Sequence, residues 1–419
     1  METYLRRNMR KPLSHLFLHI RTYGKEHHAL YVVAITFFFF RIFDGVLSYA
    51  VPLLIIERGF SETQMGFIIG FSSLAGAVFD IGLARVLRRV SYRKLFLFVF
   101  IAALFYALTL WGAKELIVFL LAMALWGIYF DFMNFGTYNF ISRVMKPAEH
   151  SSSFGVLDIF KSLGYLIAPI FSGMVIFETV KSPTFILALM FLAMGFVFYL
   201  LLLSEKDTVV VSTPRRKGSI LEELRIWRKI FKPLYPVLLM TFAMNIGDSF
   251  FWTVGPLISE RMTSIHPLGG FLITLYFLPS LLTGWFVGRV TSRYGKKRTA
   301  IVSFLFGSII LSTGYFAGFS PILLLIVFAS STLSAIAWPA MNGAYADYIA
   351  ETPELEPSIE GLSDFVYNLS YVVGPILAGI MADHFGESGA LAFSGGVGIV
   401  ISLILIKITP RHIHLQSKV

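Results

Sequence analysis

Apolar stretches of membrane-spanning length recur along this chain, and nothing else in it restricts folding as much. They run at 30–56, 62–84, 93–112, 116–141, 151–177, 183–203, 234–258, 268–288, 298–318, 320–347, 360–383 and 388–408. A helix needs ~20 mostly apolar residues to cross a bilayer. In lipid, backbone N–H and C=O groups must be satisfied within the protein, so only helices and closed barrels cross. The helical periodicity and short turns here point away from a barrel. Only 14% of residues are charged, against about 25% in a soluble domain. The expected fold is an all-α membrane protein with twelve transmembrane helices.

The spans fall into two copies. Asp158, Pro169 and Gly173 return as Asp364, Pro375 and Gly379 at an offset of 206. Asp44 and Pro52 return as Asp248 and Pro256 at 204, and Arg85, Arg89 and Arg93 as Arg289, Arg293 and Lys297 at the same offset. Met133-Asn134 returns as Met341-Asn342 at 208. Such self-similarity marks a duplicated architecture, and paired repeats are a common transporter plan. The expected organisation is a basic segment 1–28, a six-helix bundle 29–203, a linker 204–233, a second bundle 234–409 and a tail 410–419. Segments 1–28 and 220–231 each read either as an amphipathic helix on the anionic inner leaflet or as plain solvated chain.

Charge placement sets the expected orientation. With both ends inside, inner segments hold 29 of the 35 Lys and Arg, and outer loops hold four. That is the positive-inside pattern, so the basic balance speaks for a membrane surface rather than nucleic acid. Both termini are expected in the cytoplasm, the protein in the cell membrane, and its N-terminal segment retained rather than cleaved. Cysteine is absent, and the nine histidines lie in loops, tails or helix ends. No metal site, cofactor or enzyme chemistry is expected, and the chain is expected to work as a monomer.

Two motifs give a family resemblance. The loop Gly288, Arg293, Gly295, Lys296 and Lys297 is similar to the loop motif of the major facilitator superfamily, with Ser292 where that motif has aspartate. The first copy, with Arg89 and Arg93, departs further: Ala84, Arg88 and Ser91 replace Gly, Asp and Gly. In that family the aspartate helps latch the halves together, so the resemblance leaves the latch unsupported. Gly155, Gly164, Pro169 and Gly173 resemble the antiporter motif of proton-coupled drug exporters. Gly374, Pro375 and Gly379 repeat the pattern in the second half. Small residues at such spacing also serve plain helix packing, and both readings stand. The resemblance implies two six-helix bundles and a central cavity lined by spans 1, 4, 7 and 10.

A charge inside the bilayer costs ~2.5–3.5 kcal/mol on insertion scales, so intramembrane acids are candidates for function. Arg41 and Asp44, three residues apart, can share one helix face, as can Asp158 and Lys161. Each pair reads equally as a structural ion pair. Asp248 and Asp364 have no such neighbour. Candidate cavity residues for substrate or protons are Arg41, Asp44, Asp131, Asn134, Asn245, Asp248, Trp338 and Asn342, with Asp158, Lys161 and Asp364 as coupling candidates. Glu57, Glu260 and Asp383 read as solvated outer acids. The expected function is secondary active transport by alternating access, as proton-coupled export of a small organic, cationic compound. The alternatives are proton-coupled import of a sugar or other metabolite, and a membrane sensor that transports nothing.

Overall fold

The computed structural model describes residues 28–87, 90–145, 150–176, 179–204 and 220–409. The expectations for segment 1–28, the linker before 220, Arg89 and the tail lie outside these residues. The first half comprises α1 (His28–Glu57), α2 (Glu62–Leu87), α3 (Tyr92–Trp111), α4 (Leu116–Val144), α5 (His150–Val175) and α6 (Ser182–Ser204). The second comprises α7 (Ile220–Ile265), α8 (Leu272–Tyr294), α9 (Lys296–Ser312), α10 (Ile322–Glu351) and the stretch Glu356–Ile408. Gly386, at φ 72° and ψ 166°, breaks that stretch into α11 (356–385) and α12 (387–408). The break needs glycine because its φ lies in the left-handed region. Among the described residues, nine helices are long and apolar enough to cross a membrane, or ten if the bent pair Gly269–Thr283 and Val287–Tyr294 is one span.

One expected boundary is corrected. No break separates the amphipathic stretch 220–231 from the next span, because α7 runs unbroken through Pro233 and Pro236. Its apolar stripe explains the continuity. Ile230, Leu234, Val237 and Leu238 enter the same core as Ile359 and Leu362 of α11. Trp227 lies 5.8 Å from Phe365, and a Cβ at Gly361 would stand 3.2 Å from its ring. The stretch is a packed extension of the second half, not a separate surface helix.

Small residues hold the helices at backbone distance, with the roles exchanged between copies. A Cβ on Gly45 of α1 would stand 2.5 Å from Ala168 of α5. At the repeat positions, a Cβ on Gly374 of α11 would stand 1.8 Å from Ser249 of α7. One partner is glycine in each copy. A Cβ on Gly164 would likewise stand 2.7 Å from the Phe38 carbonyl oxygen. Gly155 and Gly173 meet nothing within 4 Å, so the packing role fails for these two.

The halves meet at the face opposite the described chain ends. A Cβ at Gly66 of α2 would stand 2.1 Å from the Pro375 carbonyl oxygen, and one at Gly379 of α11 would stand 2.1 Å from that of Glu62. The Asp383 carboxylate accepts the backbone N–H groups of Glu62 at 3.1 Å and Thr63 at 2.9 Å. It caps a helix of the other half, using the unsatisfied amides and positive end of a helix N-terminus. Arg261 bridges Glu387 at 2.6 Å and Glu62 at 3.9 Å, and Glu57 accepts the Val180 N–H at 2.7 Å. Glu57 and Asp383 are therefore structural acceptors, not merely solvated acids.

This close approach gives a direct test. Overpacking costs ~1–3 kcal/mol, a ~5- to 150-fold shift in a two-state population. Gly66→Leu and Gly379→Leu should force this face open while sparing the conformer in which the helices have parted. The chain lacks cysteine, so Thr253→Cys, at a residue lining the space between the halves, serves as a single reporter. Its labelling by an impermeant thiol reagent from this face should rise by at least the lower of those factors; unchanged labelling would contradict the closure.

Candidate functional site

Between the halves lies a cavity of about 260 Å³. Trp126, Phe130 and Tyr165 line it from the first half, and Trp252, Phe277 and Tyr367 from the second, with Arg41 and Asp248 as its charged walls. Tyr165, Trp252 and Phe277 meet across the interface at centroid distances of 5.4–5.8 Å. Such aromatic contacts are favourable beyond their area.

Asp44 is the fully satisfied carboxylate of the site. It is 0% exposed. Arg41 Nη1 donates to its Oδ2 at 2.9 Å, Trp126 Nε1 donates to Oδ1 at 3.2 Å, and the Tyr129 and Tyr165 hydroxyls donate one to each oxygen. The guanidinium also bonds the Tyr165 hydroxyl at 2.6 Å and lies over the rings of Phe130 and Tyr165 at 4.8 and 5.1 Å. A buried ion pair persists when further hydrogen bonds satisfy the remaining lone pairs, as here.

Asp248 is built from the same plan with the cation removed. Tyr276 donates to Oδ1 at 2.6 Å, and Tyr371 donates to Oδ2. Tyr371 stands at the repeat position of Tyr165, and Asp248 at that of Asp44. The position of Arg41 is taken by Asn245, whose amide donates to the Thr241 carbonyl of its own helix at 2.8 Å. No cation stands within ion-pair distance of Asp248 among the described residues.

The remaining candidates separate on inspection. Asp131 does not line the cavity: its carboxylate turns toward α2, where a Cβ on Gly76 would stand 2.9 Å from it. Asn134 and Asn342 are exposed and line neither cavity. Asn245 is buried within its bundle, and Trp338 lines a small separate cavity inside the second half. Asp158 and Lys161 do pair, at 3.4 Å, with Lys161 over the Phe37 ring; neither lines the cavity. Asp364 is exposed. Of the loop motif, Gly295 takes φ 84° and Lys296 ties α9 to α10 through Asp347 at 2.5 Å and the Gly343 carbonyl at 3.2 Å. That link stays within one half. Gly288 is in open space, while Arg93, Arg293 and Lys297 rest near Tyr92, Tyr294 and Tyr348. Tyr129, Tyr165, Tyr276 and Tyr371 were missed from the sequence. Only Tyr165 and Tyr371 carried a signal, their match at the repeat offset.

A family model described as Major Facilitator Superfamily matches residues 33–263 and 237–419. The chain belongs to the major facilitator superfamily. It is a multi-pass membrane protein of that transporter family. It is 25% identical to the hexuronate transporter of Bacillus subtilis (strain 168) over 392 residues, which cover 87% of this chain and 90% of the relative. It is 21% identical to the class B tetracycline resistance protein of Escherichia coli over 359 residues, 81% and 85% of the two chains. Among solved structures, the nucleoside transporter NupG superposes with a TM-score of 0.72 at 13% identity, covering 92% of this chain and 100% of that one. That likeness shows the fold. In this superfamily member, the Asp44 and Asp248 clusters face one another across the interface of the two halves.

Proposed function

We propose that this protein is a secondary active transporter that works by alternating access and exports a small organic cation in exchange for protons. The observation that carries the reading is Asp248, a cavity carboxylate held by two phenols with no ion-pair partner among the described residues. A charge in this setting is costly unless neutralised. A proton and a substrate cation are then rival occupants of one carboxylate, which is the requirement for exchange. The aromatic walls add cation–π surface for an organic cation. With the chain ends inside, the conformer described here is closed to the outside, as alternating access about a midplane site requires.

Arg41 favours a second reading, proton-coupled import of a carboxylate-bearing metabolite. Its guanidinium lines the cavity, and its buried Nε has no acceptor among the described residues. Flux in inside-out vesicles separates the two. An imposed gradient, acid inside, should drive accumulation of an organic cation such as ethidium, and collapsing the gradient should release it. Expulsion of a preloaded carboxylate under the same gradient, with no movement of the cation, would establish the second reading; movement of neither would remove both.

A further inference from the structure

Asp248 also lines a second cavity, of about 40 Å³, whose lining residues all belong to the second half. Five serines surround it: Ser308 on α9, Ser330, Ser331 and Ser334 on α10, and Ser394 on α12. Ser331 donates its proton to the Phe328 or Leu275 carbonyl, at 3.1 and 3.3 Å, and Ser394 to that of Leu391 at 2.7 Å. A hydroxyl has one proton to give. Toward the cavity the Ser331 and Ser394 oxygens therefore offer lone pairs, as the carboxylate does. The rest of the wall is largely apolar, including Phe251, Phe304 and Leu311.

Serines in membrane helices also serve packing, and the repeat supplies an internal control. At the offset of 208 set by Met133-Asn134 and Met341-Asn342, Ser330, Ser331 and Ser334 correspond to Ala122, Met123 and Trp126. In the first half Trp126 stacks on Tyr106 at 6.3 Å and donates to Asp44. The shared fold thus does not require serine at these positions. The second half has small hydroxyls beside its acid where the first half has a bulky indole donor.

We propose that this cavity is a sodium-ion site, with Asp248 supplying the charge and the serine hydroxyls the neutral oxygens. Hard cations take oxygen ligands of this kind. A space of this size holds a few water-sized particles, one water needing roughly 10–15 Å³, and no organic group. The site depends on neither the transported compound nor its direction, and so goes beyond the reading above. Sodium and the proton become alternative occupants of one carboxylate.

Thermal unfolding of the purified full chain at fixed pH tests this, with NaCl, KCl and N-methylglucamine chloride compared at equal ionic strength. Sodium alone should raise Tm, saturably and by a few degrees. The sodium-specific rise should vanish in Asp248→Asn and weaken in Ser331→Ala and Ser330→Ala. The last of these is the residue the first half itself carries, so folding is expected to survive. Each variant serves as its own control, because the readout is the difference between salts. Identical curves in the three salts, or a sodium effect that survives Asp248→Asn, would overturn the assignment. Proton-driven flux measured in sodium-free medium tests the earlier reading separately.

Discussion

Asp248→Asn should abolish transport driven by a pH gradient, reducing it to background, while exchange of substrate for substrate across the membrane continues once the substrate concentration is raised to offset the weaker binding of a cation to the neutral side chain. Asparagine keeps the shape of the side chain and can still accept a phenol hydrogen bond, so the cavity and its Tyr276 and Tyr371 contacts need not collapse. What it removes is the ability to change charge. Coupling requires a group that is neutralised in one half of the cycle and released in the other, whereas exchange requires only that the loaded carrier reorient. The separation of the two assays is the informative result. Loss of both would mean that Asp248 serves binding or folding alone, and retention of driven transport would move coupling elsewhere. Substrate affinity in the variant should also lose its dependence on pH, since no proton competes at that carboxylate.

Arg41→Met carries the largest expected effect on stability. It leaves Asp44 fully buried among Trp126, Tyr129 and Tyr165 without the cationic partner it has among the described residues. Breaking a buried pair from one side costs ~3–5 kcal/mol. The expected result is a marked fall in Tm or loss of folded protein. The double variant Arg41→Met with Asp44→Asn should recover most of that loss, because replacing both charges removes the uncompensated one. A double variant no better than the single one would show that Arg41 acts mainly through its packing on Phe130 and Tyr165. The contrast with Asp248 is instructive. Among the described residues, the same acid at the same repeat position is in an ion pair in one half and in none in the other, because one helical turn earlier stands Arg41 in one copy and Asn245 in the other.

The two copies were legible before any coordinates. Asp44, Asp248, Pro169 and Pro375 fall at matched offsets, and matched offsets in apolar helices survive only where two bundles share a plan. The Arg41–Asp44 pairing was legible as well, since three residues along a helix is one face. Asp131 shows where that reasoning stopped. It is one residue from Phe130, which lines the cavity, yet a helix turns 100° per residue, about a quarter of a turn. Its carboxylate therefore faces Gly76 and not the space between the halves.

The sequence by itself determined that this chain is a duplicated helical membrane protein, because lipid tolerates few backbones and the repeat is written in the residues. It also determined which acids are anomalous, since an intramembrane charge is costly wherever it points. Only the tertiary structure decided which acid is paired and which is not. The phenols that hold Asp248 come from α8 and α11, and the donors that hold Asp44 from α1, α4 and α5. Those partners are distant in the chain, and their meeting depends on helix rotation and crossing, which no local pattern encodes.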